Sequence, residues 1–177
     1  MNPAPAAFRQ QLLAALPRVR RYARTLAHEP GEADDLVQNT VERALTHWHQ
    51  FDQRRDIVVW LLSIAHNAWQ DWRRREARMS AQAPEELQRE QDRHGGDPGV
   101  DVGLRLDLLA ALKRLRPEQI EPLLLVCVEQ LTYAECAEVL GIPVGTVMSR
   151  VCRARAQLRG LLDGGASAAQ PKLHRVI

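Results

Sequence analysis

No run of about 18 apolar residues occurs anywhere in the chain, which excludes a membrane-spanning helix. The opening residues, MNPAPAAFRQ, lack both the charged start and the apolar stretch of a secretory signal, so a cytoplasmic location with no direct membrane insertion is expected. Cysteine is scarce. Cys127, Cys136 and Cys152 are widely spaced, form no C-x-x-C pair and sit in apolar helical patterns, so they are expected to be reduced, small apolar residues. Sustained two-residue alternation bounded by turns is also missing, and the fold is expected to be all-α. No Gly-rich phosphate loop follows a strand and no nucleophile elbow exists, so an enzyme is not expected, and HGGDPG at 94–99 reads as linker. His47 and His49 flank Trp48, but residues two apart on a helix diverge and no thiolate or carboxylate set completes a metal site. No cofactor is expected.

What is present is a chain of 177 residues with 45% hydrophobic composition, ample for burying a core. Its formal charge of +2 is too small to imply nucleic acid, and the distribution matters more. Basic residues gather at Arg73, Arg74, Arg75 and Arg78, and again at Arg150, Arg153, Arg155 and Arg159. Either cluster alone reads as a solvated helix end complementing the macrodipole; two of them suit two contacts with a polyanion. Glycine, proline and glutamine concentrate between Met79 and Gly103, and all four tryptophans lie before that segment. The expected organisation is two small helical domains, 8–78 and 104–163, joined by a flexible linker at 79–103 and followed by a tail at 164–177.

In the first domain Phe8, Leu12, Leu13 and Leu16 form one apolar stripe and Val19, Tyr22, Ala23 and Leu26 another, with Pro17 marking a kink or a fresh helix start. HEPGEADD closes that unit. A second helix from about Asp34 to Trp48 puts Val37, Thr40, Val41, Ala44 and Trp48 on one side and Asp35, Asn39, Glu42 and Thr46 opposite, with Gln38 at the edge. A third, from Ile57 to Arg75, is expected to bury Ile57, Leu61, Ile64, Ala65, Ala68 and Trp72. Its polar wall of Ser63, His66, Asn67, Gln70, Arg73 and Arg74 grades from uncharged hydrogen-bonding groups into arginines. An ordinary solvent face is the plain reading, but that gradation suits a nucleic-acid strand whose bases and phosphates are contacted together.

In the second domain Thr132 followed by Glu135 is a capping box, Gly141 supplies a left-handed stop, and Pro143 starts a new helix near Val144. Helix, tight glycine turn, helix is the helix-turn-helix layout, which an αα-hairpin without DNA function shares. The second helix separates them. At about 100° per residue, Val144, Val147, Val151, Ala154 and Leu158 line one face, leaving Gly145, Ser149, Cys152, Arg153 and Ala156 outward. That outward face is slim enough for a major groove, with Ser149 and Arg153 as candidates for base contact and Arg150 and Arg155 for phosphate. Glu135 and Glu138 on the preceding helix would be repelled by phosphate and are free for a protein surface.

The combination resembles the extracytoplasmic-function (ECF, group 4) class of bacterial RNA polymerase sigma factors of the sigma-70 family, along nearly the whole chain. DDLVQNTVERAL is similar to the family's core-binding helix, VVWLLSIAHNAWQDWRRR to its minus-ten helix, and LTYAECAEVLGIPVGTVMSRVCRARAQL to its minus-thirty-five helix-turn-helix. The resemblance implies core RNA polymerase, promoter DNA and a controlling anti-sigma factor as partners. It implies that Asp35, Gln38, Asn39 and Glu42 dock on the polymerase, that Asn67 captures a flipped minus-ten base beside the loop from Phe51 to Ile57, and that Ser63, His66, Gln70, Arg73 and Arg74 complete that surface. At the minus-thirty-five element it implies Met148, Ser149, Arg150, Cys152, Arg153 and Arg155. Met148 stands where many members have arginine, Cys152 replaces a larger residue, and Asn39 and Val41 replace an acid and an aromatic. Two rivals remain: a sigma-like decoy that sequesters an anti-sigma factor, against which the retained arginines argue, and a helix-turn-helix activator, which leaves the first domain unexplained.

Overall fold

The computed structural model describes residues 3–27, 29–80, 108, 110–112 and 114–166. The expected linker from 81 onward and the tail from 167 onward lie outside them. Among the described residues every regular element is helical: α1 (Ala6–Leu26), α2 (Pro30–Thr46), a 3-10 turn (Trp48–Gln50), α3 (Ile57–Ser80), α4 (Pro117–Cys127), α5 (Tyr133–Leu140) and α6 (Val144–Ala166).

Helices α1, α2 and α3 pack on one another as the first bundle. The buried stripe of α1 is Phe8, Leu12, Ala15, Val19, Tyr22 and Ala23, a three-and-four spacing that holds one face toward its neighbours. Leu13, expected in the stripe, lies about 100° away from Leu12 and is 65% exposed. Pro17 sits inside α1 on an exposed position and the helix continues through it. Proline also opens α2 at Pro30, where the missing N–H needs no partner, so this helix begins a turn before Asp34. Thr40 is wholly buried in α2 because its hydroxyl donates to the Leu36 carbonyl at 2.7 Å.

Asp56 accepts from the Val58 N–H at 2.8 Å and sets the start of α3. Phe8, Phe51 and Trp60 cluster at its outer end, with ring centroids 5.3–6.0 Å apart. Further along, Trp69 and not Trp72 is the buried tryptophan, at 6% against 37% exposure. The core sector of α3 runs through Leu61, Leu62, Ala65 and Trp69; Trp72 lies at its margin and stacks flat on Trp69, centroids 4.7 Å apart.

The second bundle follows the same logic with two short helices and one long one. Pro117 opens α4, and the Arg116 N–H donates to the Gln119 side chain at 3.1 Å. Thr132 accepts from the Glu135 N–H at 3.2 Å while Glu135 accepts from the Thr132 N–H at 2.8 Å, so the capping box that opens α5 is closed in both directions. These bonds hold the Glu135 carboxyl below its usual range. Gly141 ends α5 at φ 63°, a conformation that costs glycine nothing and a side chain something. Val147, Val151 and Ala154 of α6 close over Leu123, Leu125, Cys136 and Val139, whereas Val144, on the first turn, stays exposed. Burial pushes the Cys136 thiol up to about 12, so it behaves as a small apolar side chain.

The two bundles touch. Helix α1 meets α4 and α3 meets α5, so their buried residues form one continuous cluster.

Candidate nucleic-acid and polymerase interface

Three surfaces gather the residues singled out in the sequence. On α2, Asp35, Gln38, Asn39 and Glu42 are all exposed along one face, because their spacing of three and four returns each to the same side. Gln38 donates to Glu42 at 3.0 Å across one turn. Asp35 and Asn39 also rim a groove of about 140 Å³ floored by Leu36, Ala68 and the two stacked tryptophans. This face is acidic and amide-rich beside an aromatic ledge, which suits a basic protein surface better than DNA.

On α3 the polar wall splits. Asn67, Arg73 and Arg74 are exposed, and Gln70 is half-buried. Ser63 donates back to the Val59 carbonyl at 2.9 Å and lies away from the cleft that the others line. His66 departs furthest from a solvent face. It is 8% exposed, and its Nδ1 lies 2.6 Å from the Glu121 carboxylate of α4. His66, Asn67, Gln70, Arg73 and Arg74 form one wall of a cleft of about 540 Å³ whose other wall is Glu118, Glu121, Pro122, Leu140, Ile142 and Arg150. Asp71 tempers the charge by pairing with Arg74 at 3.7 Å and Arg43 at 3.9 Å.

On α6, Gly145, Met148, Ser149, Cys152, Arg153 and Ala156 face outward. Arg153 folds back along the helix: its Nε donates to the Ser149 carbonyl and its Nη2 to the Ser149 hydroxyl, each at 3.1 Å. The guanidinium is thereby held over the slim face. Arg150, expected at a phosphate-facing flank, is half-buried and turned into the cleft toward α3. Arg155 donates to Cys127 Sγ at 3.2 Å, which ties it to the end of α4. Among the described residues no three potential metal ligands come together, and no helix is long and apolar enough to cross a membrane.

Comparison with known proteins follows the same division. The pattern described as Sigma-70 region 2 matches residues 12–79, and that described as Sigma-70, region 4 matches residues 105–158. The ECF RNA polymerase sigma factor EcfG of Rhodopseudomonas palustris (strain TIE-1) is 34% identical over 169 residues, covering 90% of this chain and 87% of that protein. The chain belongs to the ECF RNA polymerase sigma factors. ECF sigma factor SigC of Mycobacterium tuberculosis is 38% identical over 131 residues, 71% of this chain and 67% of that one. Among solved structures, the sigma factor RpoE of Bartonella quintana, in complex with the anti-sigma factor NepR, superimposes with a TM-score of 0.78 at 29% identity, covering 90% of this chain and 98% of that one. CnrH, in complex with the cytosolic domain of CnrY, gives a TM-score of 0.63 at 27% identity, covering 89% and 88%.

In this sigma factor the residues that sequence reasoning missed lie on the seam between the bundles. Glu129 takes Arg18 Nε at 3.1 Å and Arg21 Nε at 2.6 Å, and Arg18 also donates to the Glu129 carbonyl. Glu121 takes the Tyr22 hydroxyl together with His66, and Arg55 pairs with Glu138. Burial, reinforced by the Glu121 charge, pushes the Tyr22 hydroxyl well above its usual range. These partners stand 55 to 111 residues apart in the chain, so no local pattern announces them.

Proposed function

We propose that this ECF sigma factor binds core RNA polymerase and directs promoter-specific transcription initiation from the cytoplasm, without catalysis of its own. Domain 8–78 carries polymerase binding and the minus-ten element; domain 104–163 carries the minus-thirty-five element. Asp35, Gln38, Asn39 and Glu42 form the docking face on the polymerase. Asn67 takes a flipped base of the nontemplate strand, since an amide offers both donor and acceptor to a base edge. His66 and Gln70, on the same cleft wall, flank it, and Arg73 and Arg74 hold the neighbouring phosphates. On α6, Ser149 and Arg153 meet base edges, Met148 and Cys152 meet the groove floor, and Arg155 serves a phosphate, as does Arg150 once its side chain swings out of the cleft. Unstacking costs a few kcal/mol per step and is offset by base capture and by contacts of the polymerase itself, so no hydrolysis is required.

The observation that carries this reading is the slim outward face of α6 with Arg153 pinned across it by Ser149, in the same chain as a wall grading from Asn67 to Arg74. The control partner is an anti-sigma factor. The support is that RpoE and CnrH were each solved with a protein bound, NepR in one case and the cytosolic domain of CnrY in the other.

Run-off transcription with purified bacterial core polymerase, with and without the protein, on a pool of genomic promoter fragments tests the reading. Discrete transcripts that require the protein are expected. Binding to core or to an anti-sigma factor with no transcript from any template would instead make it a decoy.

A further inference from the structure

The cleft between α3 and the second bundle holds more hydrogen-bonding capacity than the protein itself uses. Asn67, Gln70 and Arg73 line it from α3 and Arg150 lines it from α6, and among the described residues none of these four makes a side-chain hydrogen bond or ion pair. The carboxylates of the cleft differ. Glu121 accepts from the Tyr22 hydroxyl and lies 2.6 Å from His66 Nδ1, Asp71 pairs with Arg74 at 3.7 Å and with Arg43 at 3.9 Å, and Glu118 lies 4.0 Å from Arg116. Each acid thus has a cation or a donor beside it, whereas the guanidiniums of Arg73 and Arg150 have no acceptor of their own. Arg150 is half-buried, so it loses part of its hydration without gaining a partner in return.

The rest of the cleft supplies what a small inorganic anion would not need. Leu140 and Ile142, both half-buried, add apolar surface to the same lining. The volume of about 540 Å³ lies within the range of about 300–1,000 Å³ that small-molecule sites occupy. A guanidinium matches phosphate oxygens in pairs, an amide offers both donor and acceptor to a base edge, and an apolar surface takes the face of a base. Two free guanidiniums, with the carboxylates of Glu118 and Glu121 on the same cleft, suit two phosphates better than three. We propose that Arg73 and Arg150 clamp the phosphates of a free nucleoside diphosphate across this cleft, with Asn67 and Gln70 on its base edge and Leu140 and Ile142 against its ring. A bound nucleotide keeps Arg150 in the cleft and occupies the wall of α3. That occupancy denies the same wall to a single strand, a consequence that rests, unlike the binding itself, on the reading of α3 given above.

The test uses the full chain in EDTA, which removes any metal-carried binding. Equilibrium dialysis with radiolabelled GDP, ADP and, for the phosphates alone, inorganic pyrophosphate measures occupancy directly, and circular dichroism checks that each variant keeps its helicity. GDP or ADP should bind with a dissociation constant below about 1 mM and at least about tenfold tighter than pyrophosphate. Arg73→Ala and Arg150→Ala should each weaken that binding by about tenfold or more, since each removes a charge-assisted pair. Asn67→Ala combined with Gln70→Ala should bring the nucleotides down to the level of pyrophosphate. Arg159→Ala removes the same charge from an exposed position of α6 outside the cleft and should leave occupancy unchanged. No occupancy by either nucleotide at about 1 mM, or pyrophosphate equal to the nucleotides, overturns the proposal. An equal loss in Arg159→Ala overturns it too, because net charge would then account for the binding. The strand reading fails separately, in the yield of strand-separated promoter complex that Asn67→Ala forms with core polymerase. An unchanged yield there removes the strand from α3 and leaves the clamp standing, whereas a lowered yield without nucleotide occupancy removes the clamp and leaves the strand.

Discussion

The two surfaces proposed to meet DNA are prepared in opposite ways. The face of α6 is open, its key guanidinium is held by bonds within the same helix, and nothing from the other bundle covers Ser149, Cys152 or Arg153. The wall of α3 is half occupied: His66 is buried against Glu121, and the cleft beside Asn67 is roofed by α4 and by Arg150 from α6. A surface that reads an intact duplex can be left permanently exposed, since its target is always available. A surface that holds unstacked bases meets its target only once strands separate.

The contrast can be broken most forcefully through the cores beneath the two surfaces. Leu62 is wholly buried under the α3 wall, and Leu62→Ala should destabilise the first bundle by about 2–5 kcal/mol. Chemical denaturation followed by tryptophan fluorescence, which reports only the first bundle, should shift while the helical signal of the second persists. A single coincident shift would instead merge the two bundles into one cooperative unit.

Arg153→Ala sharpens the comparison from the other side. Loss of a base-edge contact of about 1–3 kcal/mol predicts roughly five- to 150-fold weaker binding of promoter duplex, with core polymerase affinity unchanged. An intact minus-thirty-five footprint in that variant would strip the residue of its part. Asn67→Ala should do the reverse, sparing duplex binding and lowering the yield of strand-separated complex in a permanganate assay.

A smaller effect is expected at the start of α5. Thr132→Ala should cost about 1 kcal/mol by opening the capping box. Because the Glu135 carboxyl is held below its ordinary value of 4.5, its contribution is complete above that pH and disappears as pH falls through the lower folded value. Melting curves across the acid range should show this step in the parent and a diminished one in Thr132→Ala.

The smallest effect at neutral pH concerns Tyr22. Its hydroxyl is raised well above 10.0, so its contribution is complete below about 10 and is lost only as pH climbs through the folded value. Tyrosinate absorbance should therefore show Tyr22 ionising only together with loss of its packing against Glu121. Normal titration of both tyrosines in the compact protein would contradict the burial of this group beside Glu121.

Much of this was legible along the chain because it is local. The capping box from Thr132 to Glu135, the left-handed Gly141 and the start at Val144 each depend on neighbours within a few residues, and all three stand as the pattern implies. The apolar face of α6 was equally plain, apart from Val144 at its first turn. Errors come at the margin of a buried face: the pattern counts Leu13 with Leu12 and puts Trp72 in place of Trp69. Periodicity gives a sector about 100° wide, and only the neighbouring helices choose which residue at its margin is covered.

By itself, then, the sequence determined the all-helical class, the capping box and glycine stop of α5, the outward face of α6 and the membership of the sigma family, since each is written in short-range spacing or in motif order. Tertiary structure alone decided that His66 faces Glu121 rather than water, that Arg150 turns inward, and that Glu129 finds Arg18 and Arg21. The reason is distance along the chain. Charged side chains such as these have no helical or turn preference that names a partner, and an ion pair between a buried carboxylate and a half-exposed arginine 108 residues away exists only after the two bundles have packed.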